Sequence, residues 1–276
     1  RLPLISDHIG EFSRTNSESI IGVKAKSKDV DFSKGVAITS SVHPDENTHI
    51  EPVRYGKGHD MMGLLLGIMT EGGGVLPRQV KAFLNACFHP ITFLGILNPV
   101  GFAQRSIILL VMQTLDNYII IRRKRRLLWP FSRTLTSEYG TEKKNPTWIP
   151  IGYDFGRRLA KRINGISANI TTENLMDAPL TAHIMGGCTI GQKPEDGVID
   201  EENRIKGYQN MLVCDASQMP ENLGVNPALS ILAFAERAMS YIQPKSGKIR
   251  YLKAEQEWGV KENLLKESRH QPLMPV

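Results

Sequence analysis

Residues 182–242 constrain this chain more than any other stretch. His183-Ile184-Met185-Gly186-Gly187-Cys188 is followed by a mostly apolar run at 211–215, and that by Gly224-Val225-Asn226-Pro227-Ala228-Leu229. The last of these reads as a helix start. Asn226 is a residue whose side-chain oxygen can accept from a first-turn amide. Pro227 then falls at the first helical position, where a missing N–H costs nothing. Ala228, Ile231, Leu232, Ala235, Met239 and Ile242 recur at helical spacing and predict one apolar stripe. The unpaired amides and dipole of such an end favour partial negative charge on whatever lies ahead of it.

The run 211–215 follows a turn signal at Lys206-Gly207 and predicts a buried strand ending in Asp215. An acid there either bonds ligand hydroxyls or caps the next loop. Asp200 with Arg204 reads as solvated hairpin chemistry. His183 stands beside two glycines, which let backbone approach a ligand or another strand closely. Cys188 has no second Cys or His at ligand spacing, so no metal is expected, and it is read as a small packing residue.

Taken together, these residues resemble a known family. His183-x-Met185-Gly186-Gly187-Cys188-x-x-Gly191, Gly197-Val198-Ile199-Asp200, Arg204, Gly207, Val213-x-Asp215-Ala216-Ser217, Asn226-Pro227-Ala228 and Ala235-Glu236-Arg237-Ala238 are similar to the C-terminal signature of the glucose-methanol-choline oxidoreductases. Within that family the fit is nearest the cholesterol-oxidase-like branch, which has asparagine where many relatives carry a second histidine. Weaker likeness runs back through Thr48-His49-Ile50-Glu51-Pro52 and Arg14-Thr15-Asn16-Ser17-Glu18.

The resemblance implies an α+β, α/β arrangement. An antiparallel-sheet substrate-binding domain is expected over 12–178. Residues 1–11 and 179–245 are expected to belong to a Rossmann-like FAD-binding domain, with 246–276 a peripheral tail. No G-x-G-x-x-G follows a strand near Arg1, so the βαβ half that holds the cofactor's pyrophosphate is expected upstream.

The same resemblance implies FAD-dependent oxidation of the CH–OH group of a sterol-like secondary alcohol, with O2 or another electron acceptor. His183 would manage the hydroxyl proton, and Asn226 would position the hydroxyl and touch the flavin. Asp215, Ala216, Pro227 and Ala228 would contact the cofactor. Glu51 would move a proton during steroid double-bond isomerisation, unless it simply pairs with Arg54. His49, on the same strand face, is the reserve candidate. A non-steroid alcohol, or a flavin-less lipid-binding or interaction remnant, are the alternatives.

Composition is that of a globular protein, 41% hydrophobic and 22% charged over 276 residues. Its 3 cysteines make no disulfide framework. No charged-then-apolar signal segment is visible, so a cytoplasmic or peripherally membrane-associated location is expected. Residues 82–104 carry no formal charge but are interrupted by Pro90 and Pro99, which predicts a buried or interfacial helix pair rather than a span. Strands are predicted at 36–39 and 48–55, the second entered from a turn at His43-Pro44-Asp45. Runs 106–112 and 118–121 around Asp116-Asn117 predict a hairpin. The basic run Arg122-Arg123-Lys124-Arg125-Arg126 is read as a solvated strand end, without the aromatic interleaving of a nucleic-acid site. Beside the apolar 82–104 region it leaves peripheral membrane contact as an expected partner surface.

Overall fold

Two runs, Ser19–Ala25 (β2) and Ser106–Gln113 (β6), are apolar at nearly every position instead of alternating, as in strands covered on both faces. The computed structural model describes residues 2–125, 132–141, 143–193 and 195–242, and sets these two strands side by side in the middle of a six-stranded sheet. With Val42–Asp45 (β3), Thr48–Val53 (β4), Leu66–Ile68 (β5) and Gly165–Ile170 (β9), the strand order is β3-β4-β6-β2-β9-β5, and every pairing is antiparallel. A short pair joins Arg14–Thr15 (β1) to Ile184–Met185 (β10), and a separate hairpin joins Ile119–Arg125 (β7) to Arg133–Tyr139 (β8). Residues 1–238 form one compact unit and 239–276 a second, of which 239–242 are described.

Successive strand side chains point to opposite faces, and each face of the large sheet has its own cover. Ile21, Val23, Ile50, Leu109 and Val111 pack beneath helix Pro150–Arg162 (α4), around its buried Tyr153. This helix lies close because it presents Gly152 and Gly156: a Cβ on either would stand 2.7 Å from Val111 or Ile21 side-chain atoms. The other face carries Leu66, Ile68, Ile108 and Ala168 beneath Ile96 and Phe102. These two belong to Pro90–Leu97 (α2) and Phe102–Arg105 (α3), which follow Arg78–Phe88 (α1).

Helices α1 and α2 are bent 103° to one another. The break falls at Pro90, whose ring cannot continue the preceding helix. No single helix among the described residues is long and apolar enough to cross a membrane. Phe83, Phe88, Ile91 and Leu94 of the pair remain exposed, and a cavity of about 540 Å³ opens between it, β5 and helix Thr171–Met176 (α5).

Several local expectations are corrected. Residues 36–39 make one bridge, Ile38 to Val53, because β3 occupies that edge of β4. His43, Pro44 and Asp45 lie within β3, and the turn falls one step later at Glu46-Asn47. β6 and β7 do not form a hairpin with each other: β6 already has β2 and β4 on its two sides, so β7 turns away to β8. Run 211–215 is not a strand. Leu212 bridges Arg204 alone, and Ile205 N–H and Val213 N–H bond Met211 and Asn203 carbonyls, so 203–213 closes as an irregular loop. The helix after Pro227 forms as Ala228–Ser240 (α6), its first bond running from Ile231 N–H to the Pro227 carbonyl. Its stripe does not face a core, since Leu232, Met239 and Ile242 are exposed. Arg126 and the tail 246–276 lie outside the described residues.

Candidate functional site

Two limbs carry the predicted site residues. In the first, His183 sits just ahead of β10. Its Nδ1 lies 2.6 Å from Glu18 Oε1, and the Ala182 N–H donates to Glu18 Oε2 at 2.6 Å. Glu18 is completely buried, whereas the His183 ring keeps 14% of its surface open. The backbone is held separately, by bonds of His183 N–H to Thr181 Oγ1 and of that hydroxyl to the His183 carbonyl. Gly186 and Gly187 both take positive φ, and a Cβ on Gly186 would stand 2.0 Å from the Phe12 carbonyl oxygen. The double glycine therefore serves the approach of another backbone segment. Gly186 and Cys188 N–H groups donate to the carbonyls of Ala216 and Ser217.

That ties the first limb to the Asp215–Ala216 turn. Asp215 is exposed, and its Oδ1 accepts from Ser217 N–H at 2.9 Å, so in this structure it caps the short 3₁₀ turn that follows. Cys188 packs against Val198, Ile199 and Ile205 as a small residue. Burial, helped by the neighbouring Asp215 charge, pushes its thiol pKa up, contrary to what a nucleophile needs. Among the described residues no cluster of three His, Cys, Asp or Glu could hold a metal.

In the second limb, the Asn226 amide donates to Glu51 Oε2 at 2.7 Å, and His49 Nε2 lies 2.9 Å from Glu51 Oε1. Glu51 thus pairs across the site and not with Arg54, which instead reaches the Lys34 carbonyl and Thr39. The other His49 nitrogen, Nδ1, is buried and has no hydrogen-bond partner among the described residues. The loop carrying Asn226 is pinned from the sheet. Asn16 donates to the Val225 carbonyl at 2.8 Å, and Asn222 donates to the carbonyls of Gln113 and Leu115. Gly224 has positive φ, and a Cβ there would overlap Thr114 Oγ1 at 2.1 Å.

Register relates the two limbs. Glu51 pairs with Leu110, Leu110 with Ile20, and His49 with Met112, so these side chains share one sheet face. Glu18 stands two residues before Ile20 and falls on that face too, while Ser19 turns the other way to Glu173. Only β6 separates β2 from β4, a spacing of about 10 Å, within the span of one small molecule. Sequence reasoning missed Glu18. Its signal was a carboxylate placed immediately before a mostly apolar strand covered on both faces, where it could not avoid burial.

The chain is similar to known proteins over most of its length. Residues 158–235 match the family model described as GMC oxidoreductase. A cholesterol oxidase of Acinetobacter baumannii is 49% identical over 244 residues, 88% of this chain and 43% of that protein. One from Mycobacterium tuberculosis is 47% identical over 253 residues, 90% of this chain and again 43% of the relative. The chain is thus similar to GMC oxidoreductases, through residues 158–235 to the family as a whole and over most of its own length to these relatives. It spans less than half the length of these relatives. GMC oxidoreductases in general depend on FAD, and the residues here fit such a group. The first-turn amides of α6 have no intrahelical acceptor, and beside them Leu229 and Leu232 present uncovered apolar surface suited to a ring system.

Proposed function

We propose that the full-length protein is a FAD-dependent oxidoreductase acting on the CH–OH group of a sterol-like secondary alcohol, with isomerisation of the steroid double bond by Glu51. The observation that carries this reading is the Glu51 carboxylate, bonded on one side to His49 and on the other to Asn226. A buried carboxylate so held can accept a proton from carbon and return it elsewhere, while Asn226 stays beside it to orient an oxygen.

In this reading 12–178 is the substrate-binding domain, with 1–11 and 179–245 on the cofactor side and 246–276 peripheral. Asp215, Ala216, Asn226, Pro227 and Ala228 would hold FAD, which supplies the hydride-accepting ring when bound. The oxidised alcohol loses a hydride from carbon and a proton from oxygen. His183 takes the proton at Nε2, the ring nitrogen not directed at Glu18. Asn226 positions the hydroxyl oxygen through its amide. O2 is proposed as the final electron acceptor. The exposed apolar residues of α1 and α2 are proposed to touch a membrane surface, from which a sterol could be withdrawn, and the protein is placed in the cytoplasm or at that surface.

The test is Glu51→Gln in the full-length enzyme, which retains the bond to Asn226 but removes the base. Flavin reduction by cholesterol should persist at near the parent rate, while the unconjugated ketone accumulates and ultraviolet absorbance of the conjugated enone fails to appear. Conjugated product formed at the parent rate would reduce Glu51 to a structural role and remove the isomerase part of the proposal.

A further inference from the structure

We propose that Glu18 is a positioning residue for His183, holding its imidazole in the tautomer with hydrogen on Nδ1 so that Nε2 offers its lone pair to the substrate hydroxyl. The inference rests on the reading of His183 as the hydroxyl's proton partner and deepens it.

The argument is a count of donors and acceptors. Two consecutive residues present nitrogen atoms to one carboxylate, the Ala182 backbone nitrogen and His183 Nδ1, each at 2.6 Å from a different oxygen. The backbone N–H can only donate. A carboxylate can only accept, so the ring nitrogen facing it must carry hydrogen, which leaves Nε2 as the acceptor in the neutral ring.

Nor is the carboxylate free to swing away. Glu18 is fully buried, and its neighbours are both fixed. Ser17 takes positive φ, with its N–H bonded to Thr15 Oγ1, and Ser19 donates to Glu173 at 2.8 Å. On the histidine side, Ile184 and Met185 are paired to Thr15 and Arg14 in β10 and β1. The ring is therefore clamped between a short strand pair and a carboxylate that enters from the start of the central sheet. Glu18 and His183 are separated by 165 residues in sequence. A purely local turn would not need that link.

Glu18→Gln tests the count directly, because a carboxamide has one acceptor oxygen where the carboxylate has two. If the glutamine oxygen keeps the Ala182 N–H, its NH2 group faces Nδ1 and the hydrogen must move to Nε2. The experiment uses the full-length protein with 15N-labelled histidine, the His183 resonances being assigned by their loss in His183→Ala. Expected are an Nδ1–H tautomer in the parent, an Nε2–H tautomer in Glu18→Gln, and a fall in flavin reduction by cholesterol of about a hundredfold. Glu18→Asp retains two acceptors. It should keep the parent tautomer and recover most of the rate, which also answers the case in which Glu18→Gln fails to fold.

An unchanged His183 tautomer in a folded Glu18→Gln protein overturns the inference, whatever the rate does. A tautomer that moves while both Glu18→Gln and His183→Ala reduce flavin at the parent rate has a different meaning. It overturns the role given to His183 and leaves the positioning by Glu18 standing.

Discussion

Two buried carboxylates meet at the start of strand β2, and they are treated in opposite ways. Beneath α4, Glu173 is fully compensated. Arg78 lies 2.8 Å from it, Ser19 and Asn169 donate to it, and the Tyr153 hydroxyl bonds it as well. On the other face, one residue earlier along the chain, Glu18 has a backbone N–H and a histidine ring, and Glu51 has a histidine and an amide. The first centre contains a permanent cation and closes on itself. In the second, the partners are groups that can also give or take a proton or face a ligand. A fixed buried ion pair suits a joint between helices, whereas carboxylates matched with imidazole and amide suit a place where protons move. One strand carries both, because its period of two sends Ser19 to the joint and Glu18 to the site.

The largest effect expected from this contrast is on stability, at the closed centre. Arg78→Met keeps an apolar stem but strands Glu173 without its cation, and unfolding of the full-length protein should become easier by about 3–5 kcal/mol. The Tyr153 hydroxyl would then be the main remaining support. Its pKa is held far above the ordinary value, first by burial and then by the Glu173 charge, so it keeps its proton and can only donate a neutral hydrogen bond in place of the lost cation. Chemical denaturation reads this out. A loss below about 1 kcal/mol would mean that the joint is not an obligatory ion pair and would erase half of the contrast.

At the open centre the expected effect lies in rate. Asn226→Ala removes the amide between Glu51 and the start of α6 while leaving the loop pinned by Asn16 and Asn222. Single-turnover flavin reduction by alcohol should slow by about two to four powers of ten with FAD still bound. The melting temperature should move little. The opposite pattern, a large drop in stability with normal flavin reduction, would show Asn226 to be a structural clamp like Arg78.

Much of the second limb was legible in the sequence. Asn226-Pro227 marks a helix start through local chemistry, and His49 and Glu51 share a face because a strand has period two. The first limb was not legible in the same way. His183 finds Glu18 across 165 residues, a pairing created by sheet order and invisible to any local pattern. The same limit explains β6 and β7. Their composition and the Asp116-Asn117 turn fit a hairpin, yet whether two runs pair depends on which edges other strands have already taken. Likewise the apolar 211–215 run has strand composition but only one bridge to hold it. The bend between α1 and α2 could be anticipated, because Pro90 acts on its own helix.

The smallest expected effect sharpens the contrast from the far end of the Glu18 face. Lys24 follows Glu18 by six residues on the same side of β2. It reaches the end of α2, donating to the Gly95 and Asn98 carbonyls at 2.9 and 2.6 Å. Burial, and then the charge of Arg105, lowers its pKa from 10.5 to about 8, with Asp60 opposing. A lysine that holds its proton less well in the fold than in the unfolded chain weakens the fold while both forms are charged, below about pH 8. Between about 8 and 10.5 the unfolded chain binds more protons, so stability should rise with pH across that window. The increment should be about 1–2 kcal/mol, less than the full difference in pKa would give, because the half-buried amine keeps part of its hydration. Comparing the pH dependence of unfolding in the parent and in Lys24→Met isolates it from all other alkaline effects. If the two curves run parallel from pH 8 to 10.5, the charge on this face is already well solvated, and the difference between the two faces reduces to the site carboxylates alone.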